Sequence, residues 1–204
     1  MVEPGCLIPQ SIDALDLDAG PHPVPHFVVE AIPDYMRVPV LALYRQGAGD
    51  PAQSTPSGTC HCQLLLALPL VEEQDPTVTL QVRWFLDYDA TKQPNPIVAP
   101  LSPSITLTGS FDNPVTQRKM DPYPFDADAR GILADGLHVV EAVVADQAGF
   151  DDSATDLPFR TMKPGYEADV YRFFIQVTVT PDPKQQHCPG VNPTPPSERV
   201  NCTQ

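Results

Sequence analysis

Proline is the residue that most restricts how this chain can fold. The 204 residues include 26 prolines and 11 glycines. A proline inside a helix removes a backbone hydrogen-bond donor and clashes with the preceding turn, so prolines spread along a chain exclude long helices. The hydrophobic fraction of 42% is that of a folded protein. We therefore expect a folded domain of strands, with the prolines in turns, at strand edges and in tails.

Two segments alternate apolar and polar residues in the manner of half-buried strands. Residues 78–87 place Trp84 and four aliphatic side chains on one face, which predicts a strand with a tryptophan in the core. Residues 170–179 do the same with Tyr171, Phe173 and Ile175. Weaker strand patterns occupy residues 27–32, 38–44, 63–70, 104–108 and 137–146.

The segments between these predicted strands contain many turn-forming residues. Pro, Gly, Asp and Ser are frequent in residues 47–58, 89–104, 112–135 and 146–165. Residues 11–19 and 126–133 could each form one or two helical turns, but neither has an apolar stripe long enough to anchor a helix. Several strands separated by turns indicate an all-β sandwich.

We expect one domain with two extensions. Residues 1–23 form an extended N-terminal arm, residues 24–180 form the β-sandwich, and residues 181–204 form a proline-rich tail that favours an extended path. The longest apolar run, residues 64–71, is far shorter than the roughly 20 residues that span a bilayer. Residues 1–5 contain no apolar segment of a signal peptide, so we expect a mature or truncated chain, or a cytoplasmic protein.

The net charge of -14 restricts the partners of the chain. Binding to phosphate backbones needs clustered Lys and Arg, so nucleic acid is excluded as a partner. Acidic residues cluster at predicted strand ends, at Asp87 and Asp89 and at Asp146, Asp151 and Asp152. Such loops could converge on Ca²⁺, although turn aspartates more often cap their own backbone. We expect no cofactor, with Ca²⁺ as the alternative.

Four of the five cysteines form two clusters, one at Cys60 and Cys62 and one at Cys188 and Cys202. We expect two disulfides that join the clusters and fasten the tail to the sandwich, although the sequence does not choose the pairing. The alternatives are local pairs within each cluster, a zinc site that adds His61 or His187, and free buried thiols.

Cys6 stands outside this set. It lies in the segment Gly-Cys-Leu-Ile-Pro, which resembles the end of a bacterial lipobox, where a small residue precedes the cysteine. That resemblance implies lipidation of Cys6 and a membrane anchor. The apolar segment that precedes a lipobox is missing here, so lipidation requires that the chain begins upstream of Met1.

No catalytic motif is present in the sequence. The nucleophile elbow Gly-x-Ser-x-Gly, the zinc-protease motif His-Glu-x-x-His, the phosphate loop and the dinucleotide fingerprint are all missing. The five histidines are scattered, and His138 falls inside a predicted strand, where a structural role is expected. We therefore expect a protein that is not an enzyme.

Residues 136–146 resemble the penultimate strand of many bacterial immunoglobulin-like domains. They read Gly-Leu-His-Val-Val-Glu-Ala-Val-Val-Ala-Asp, with Gly-x-His-x-Val followed by alternating apolar residues and a final Asp. Together with Trp84 and residues 170–179, their order is similar to strands C, F and G of such a sandwich. The resemblance implies a surface or periplasmic domain for adhesion, assembly or scaffolding, but it does not carry over the disulfide between strands B and F.

These observations give three functional hypotheses. The first is a non-enzymatic, extracytoplasmic structural or binding module of the bacterial cell envelope, in the periplasm, at the outer membrane or secreted, with protein partners at exposed strand edges. The second is a subunit of a surface filament or adhesin held together by exchange of the arm, residues 7–26, or of the tail. The third is a carbohydrate-binding or hydrolytic protein with a pocket that combines Tyr35, Tyr44 or Tyr123 with carboxylates.

Overall fold

The computed structural model describes residues 22–44, 46–48, 59–89, 104–127, 129–153, 160–178 and 202–203, and these residues are mostly strands with almost no helix. The strands are β1 His26–Phe27, β2 Leu41–Tyr44, β3 Gln46–Ala48, β4 Thr59–Leu66, β5 Leu70–Glu72, β6 Leu80–Leu86, β7 Ile105–Leu107, β8 Gln117–Lys119, β9 Tyr123–Asp126, β10 Gly136–Asp146, β11 Asp169–Thr178 and β12 Cys202–Thr203. Short 3-10 helices cover Val29–Ala31, Asp34–Met36 and Gln147–Gly149. The all-β prediction is confirmed, and the arrangement fits a β-sandwich.

The larger layer, which we call the central sheet, has five strands in the order β2-β11-β10-β6-β7. Strand β10 lies between β6 and β11 and is antiparallel to both, with Ala142 opposite Trp84 on one side and Tyr171 on the other. Strand β2 pairs with β11 in parallel, with Leu41 opposite Ile175. The predicted strands around Trp84, at residues 137–146 and at residues 170–179 are therefore neighbours in one sheet.

The opposite layer is built on one long antiparallel ladder. Leu66 lies opposite Tyr123 in the β4–β9 pair, and Leu70 lies opposite Lys119 in the β5–β8 pair. The register is the same on both sides of residues 67–69, and Met120 donates its backbone N–H to the Pro69 carbonyl at 3.0 Å. The two strand pairs thus continue one another, and β1 pairs along the β5 edge. Further along β4, strands β3 and β12 pair with it.

One hydrophobic core lies between these layers, because the inward side chains of both contribute to a single cluster of buried residues. Trp84 is fully buried in it, as the alternation of residues 78–87 predicts. Phe173, Ile175 and Val177 of β11 face the same core, which confirms the predicted inward face of that strand.

The central sheet is also covered on its outer face. Phe85 and Val143 pack there against Phe150 and Met162, which belong to the segment after β10. We call residues 147–153 and 160–168 the outer segment. The expectation that residues 78–87 are half-buried is wrong for this reason: Arg83 and Phe85 are 5% and 0% exposed.

Several boundaries differ from the sequence-based expectations. Residues 27–32 are not a strand, because β1 ends at Phe27 and a 3-10 helix follows at Val29–Ala31. The described residues within 126–133 form no helix, although the Arg130 N–H bonds to the Asp126 carbonyl at 3.2 Å. Strands β8 and β9 lie within residues 112–135, which the sequence indicates as turns. Residues 11–19 lie outside the described residues.

Candidate functional site

A groove opens along one side of the sandwich, between β7 of the central sheet and the β8–β9 strand of the opposite ladder. Its volume is about 540 Å³. Apolar side chains from both layers form its inner part, and charged side chains stand at its rim. The inner residues include Ile105, Leu107, Met120 and Tyr123, and the rim residues include Lys119, Asp121 and Arg130.

Tyr123 connects this groove with the core. Its ring stacks on Trp84, with the centroids 4.7 Å apart, and its hydroxyl accepts a hydrogen bond from Arg130 Nη2 at 2.8 Å. Burial raises the pKa of Tyr123, and the positive charge of Arg130 opposes that rise only in part. The residue therefore presents a neutral phenol whose position is fixed by two neighbours.

Among the described strands, none pairs with the edge of β9 that borders the groove. Hydrogen-bonded pairs alternate along an antiparallel ladder. The Met120 N–H donates to the Pro69 carbonyl, and the Glu73 N–H donates to the Thr116 carbonyl. Every second pair along the ladder is bonded in this way, and the pair of Leu65 with Pro124 is one of them. The N–H and C=O groups of Tyr123 and Phe125 must then point away from β4. Among the described strands, β9 pairs only with β4 and β7 only with β6.

The charge at the groove rim is locally positive in an otherwise acidic chain. Within the described ranges, neither Lys119 nor Arg130 forms an ion pair with a carboxylate, while Asp121 supplies one negative charge. Arg118 stands next to Lys119 but points elsewhere: its guanidinium donates to the Leu107 carbonyl at 3.0 Å and ties β8 to β7. The groove therefore suits a ligand that is apolar on one side and anionic on another.

Two arginine networks hold the outer segment on the central sheet. Arg83 binds Asp152 through two hydrogen bonds of 2.6 and 3.0 Å, donates to Gln81, and lies over the Phe150 ring at 3.9 Å. Hydrogen bonding to Arg83 holds the pKa of Asp152 below its usual value, against a smaller opposing effect of burial. The buried guanidinium of Arg83 is thus satisfied by the exposed carboxylate of Asp152 and by Gln81, which is a structural arrangement.

Glu141 forms the second network. Its side chain is buried on the outer face of β10 and accepts hydrogen bonds from Arg160 and, at 2.6 Å, from Arg172 Nε. Arg160 also lies over the Tyr88 ring at 4.1 Å. Residues on three elements thus share one carboxylate, so the network fixes the outer segment at a second point.

His138 is held by Asp87, as expected for a structural histidine in a strand. Its Nδ1 lies 2.6 Å from Asp87 Oδ2, at the end of β6. The position of β10 against β6 creates this pair, because Asp87 accepts from the Val139 N–H with its other oxygen.

The five aspartates proposed for Ca²⁺ lie at two ends of β10. Asp87 stands beside Val139, whereas Asp146 ends the strand and lies opposite Leu80. Asp146 and Asp151 accept from their own turns, at Ala148 and Ser153, and Asp152 is bound to Arg83. Asp89 is also engaged in an interaction. No group of three metal-ligating side chains occurs among the described residues. Calcium binding stays a prediction.

Three of the five cysteines lie among the described residues. The backbones of Cys60 and Cys62 lie in β4, and that of Cys202 lies in β12, directly opposite Cys62. Cys6 and Cys188 lie outside the described residues. Disulfide formation, zinc binding and lipidation all stay predictions.

Sequence reasoning named Tyr123 only as one of three tyrosines that a sugar pocket could contain, and it missed Lys119 and Arg130. A signal was present, because two cationic residues flank the apolar and aromatic positions 120, 123 and 125 in a chain with few cations. Their convergence with β7 depends on pairing across the sandwich, which no local pattern contains.

Comparison with protein-family models, with curated proteins and with solved structures finds no match. In the described part of the chain, no helix is long and apolar enough to cross a membrane. The function of this chain is therefore inferred from its site alone.

Proposed function

We propose that this chain is a non-enzymatic structural and binding module of the bacterial cell envelope, built as an immunoglobulin-like sandwich, that recognises an acidic extended segment in its groove. The order of strands supports the immunoglobulin-like assignment. Strands β6, β10 and β11 are adjacent in the order of C, F and G, and the β4–β5 and β8–β9 strands stand where B and E do. The strand-C tryptophan packs on Tyr123 here instead of on a disulfide.

The observation that carries the binding proposal is the β9 edge beside the groove, which has no partner among the strands that the structure describes. Tyr123 and Phe125 offer main-chain donors and acceptors there, so an added antiparallel strand would continue the ladder. Side chains of such a strand alternate between its two faces. Apolar residues would enter beside Leu107 and Met120, and acidic residues would reach Lys119 and Arg130.

We assign the groove to the N-terminal arm of a second copy. Residues 12–18 of this chain read Ile-Asp-Ala-Leu-Asp-Leu-Asp, in which Leu15 and Leu17 alternate with Asp16 and Asp18. The segment thus combines the apolar residues and the negative charge that the groove suits. A helix of this length is marginal in water, so little competing structure opposes an extended bound form. Arm exchange would make the protein a subunit of a surface assembly.

We also propose that the protein is extracytoplasmic. The acidic composition, the paired cysteine clusters and the Gly5-Cys6 step favour an envelope or secreted protein with a lipid anchor at Cys6. Assembly by strand exchange between anchored copies would build a layer or filament without a cofactor.

Charge exchange in the full-length chain tests the groove. One variant carries Lys119→Glu and Arg130→Glu, and another carries Asp16→Lys and Asp18→Lys. We expect wild type to self-associate in sedimentation velocity and each variant alone to sediment as a monomer, since like charges then meet. A chain that carries both sets restores complementary charges and should associate again.

The matched control is Arg37→Glu, which reverses an exposed cation paired with Asp34 outside the groove. This variant should associate like wild type, and circular dichroism should show the same strand content in all variants. A wild-type chain that is monomeric at all concentrations, or a groove variant that associates like wild type, would contradict the proposal.

Sugar binding is the second candidate, because Tyr123 and Asp121 do line the groove together. Hydrolysis of a glycosidic bond ordinarily uses two carboxylates, and Asp121 is the single carboxylate among the described lining residues. The same wild-type and K119E/R130E proteins on a glycan array separate the two candidates. Saturable glycan binding that wild type shows and the variant lacks would favour the sugar.

A further inference from the structure

Strand β12 brings two cysteines into register at the edge of β4. The strand consists of Cys202–Thr203 and pairs with β4 in antiparallel fashion, with Cys202 opposite Cys62 and Thr203 opposite His61. Cys60 lies two residues away on the same strand, opposite Gly47 of β3. The backbone pairing therefore distinguishes between two cysteines that the sequence leaves equivalent.

Directly opposite residues in an antiparallel pair have Cα atoms about 4.5 to 5.5 Å apart. Disulfides join Cα atoms that are about 4.4 to 6.8 Å apart. The pairing of Cys62 with Cys202 thus meets the distance requirement through backbone register alone. An extended chain advances about 3.3 Å per residue, so the two-residue step to Cys60 adds roughly 7 Å along the strand.

We propose that Cys62 and Cys202 form a disulfide that fastens the C-terminal end of the chain to β4. The bond forms by exchange with a small disulfide oxidant such as glutathione disulfide. One cysteine thiolate attacks the oxidant and releases one thiol, and the second cysteine thiolate then displaces the other thiol from the mixed disulfide. Two electrons pass to the oxidant, which leaves as two thiols that take up the two cysteine protons.

This bond would close about 140 residues into one covalent loop. The proline-rich tail before Cys202 would then be held at both ends, by β11 and by β4. The β12–β4 edge is separate from the groove, so the disulfide and the proposed arm exchange do not depend on each other.

Tryptic mapping without reduction tests the bond in the full-length protein folded with glutathione disulfide. Cleavage after Arg45, Arg83 and Arg199 gives a peptide of residues 46–83 with Cys60 and Cys62, and a peptide of residues 200–204 with Cys202 alone. Cleavage after Lys184 places Cys188 in a separate peptide, residues 185–199. We expect peptide 200–204 to be attached to peptide 46–83, with fragmentation locating the link at Cys62.

The variants Cys60→Ala and Cys62→Ala form a matched pair that differs by two positions. Peptide 200–204 should stay attached to peptide 46–83 in C60A and be released in C62A. A link at Cys60, a link between peptides 185–199 and 200–204, free thiols at both Cys62 and Cys202, or a stoichiometric zinc ion would each overturn the proposal. The mapping of wild type gives this decision even if a variant does not fold.

Discussion

Asp87 holds His138 and the start of β10 at the same time. Its Oδ2 lies 2.6 Å from the histidine Nδ1, and its Oδ1 accepts the Val139 backbone N–H at 2.8 Å. The Asp87 N–H in turn donates to the Val139 carbonyl at 2.8 Å. The backbone of Asp87 is left-handed, with φ of 46°, a conformation that Asp and Asn tolerate better than most residues.

Asp87→Ala should lower the free energy of unfolding by about 2 kcal/mol, because both side-chain bonds are lost and alanine is strained at positive φ. Urea unfolding measures this change. Asp87→Asn is the matched control: it tolerates the same φ and still offers an oxygen to Val139, so its loss should be about half as large. An alanine variant as stable as wild type would show that the pair adds nothing.

Trp84→Ala should destabilise the protein by about 3 to 5 kcal/mol, because it opens a cavity in the core and removes the ring that supports Tyr123. Trp84→Phe should cost less. It keeps a ring against Tyr123 and removes the buried indole Nε1, which has no hydrogen-bond partner among the described residues. An unchanged urea midpoint for the alanine variant would refute the assigned register of β6.

Gly109→Ala should be among the most damaging single-methyl substitutions. A Cβ atom at this position would lie 2.2 Å from the Thr77 backbone oxygen, which cannot rotate away. We expect a loss of about 3 kcal/mol through overpacking, measured by thermal and urea unfolding. Gly136→Ala places its Cβ 3.4 Å from His138 Nε2, near ordinary contact, and should change stability by less than about 1 kcal/mol. Equal effects of the two substitutions would contradict this packing.

The Arg83–Asp152 bond should make stability depend on acid pH. The pKa of Asp152 is lowered in the folded protein, so its contribution is complete above the ordinary value of about 3.8 and is lost as the pH falls below it. We expect the melting temperature of wild type to approach that of Asp152→Asn as the pH is lowered from above about 3.8 to well below it. A constant difference between the two proteins across this range would show that the pair is not ionic.

Sequence patterns predicted the parts of the fold that depend on local alternation. Trp84 and the alternating residues around it determine the inward face of β6 without reference to any other strand. Strands β8 and β9 escaped prediction because β8 has only three residues and β9 contains Pro124, which lowers strand propensity. Both strands form because β4 and β5 pair with them in one continuous register, which is not interrupted by Pro124.

The candidate site was less accessible to prediction, because its residues meet through the packing of two layers. Nothing near Tyr123 in the sequence indicates that Leu107 and Ile105 face it across a groove. The burial of Arg83 was missed for a similar reason: its partner Asp152 follows 69 positions later, on a segment with no strand pattern.

The parallel pairing of β2 with β11 gives the domain a mechanical property. β2 precedes most of the described strands and β11 follows most of them, with Leu41 opposite Ile175 and Tyr44 opposite Thr178. Tension applied before β2 and after β11 would slide the two strands past each other, so their hydrogen bonds would bear the load together instead of opening one by one. If Cys62 and Cys202 form a disulfide, tension applied after Cys202 would pass to β4 and not to β11. Oxidation would therefore determine which strand bears the force.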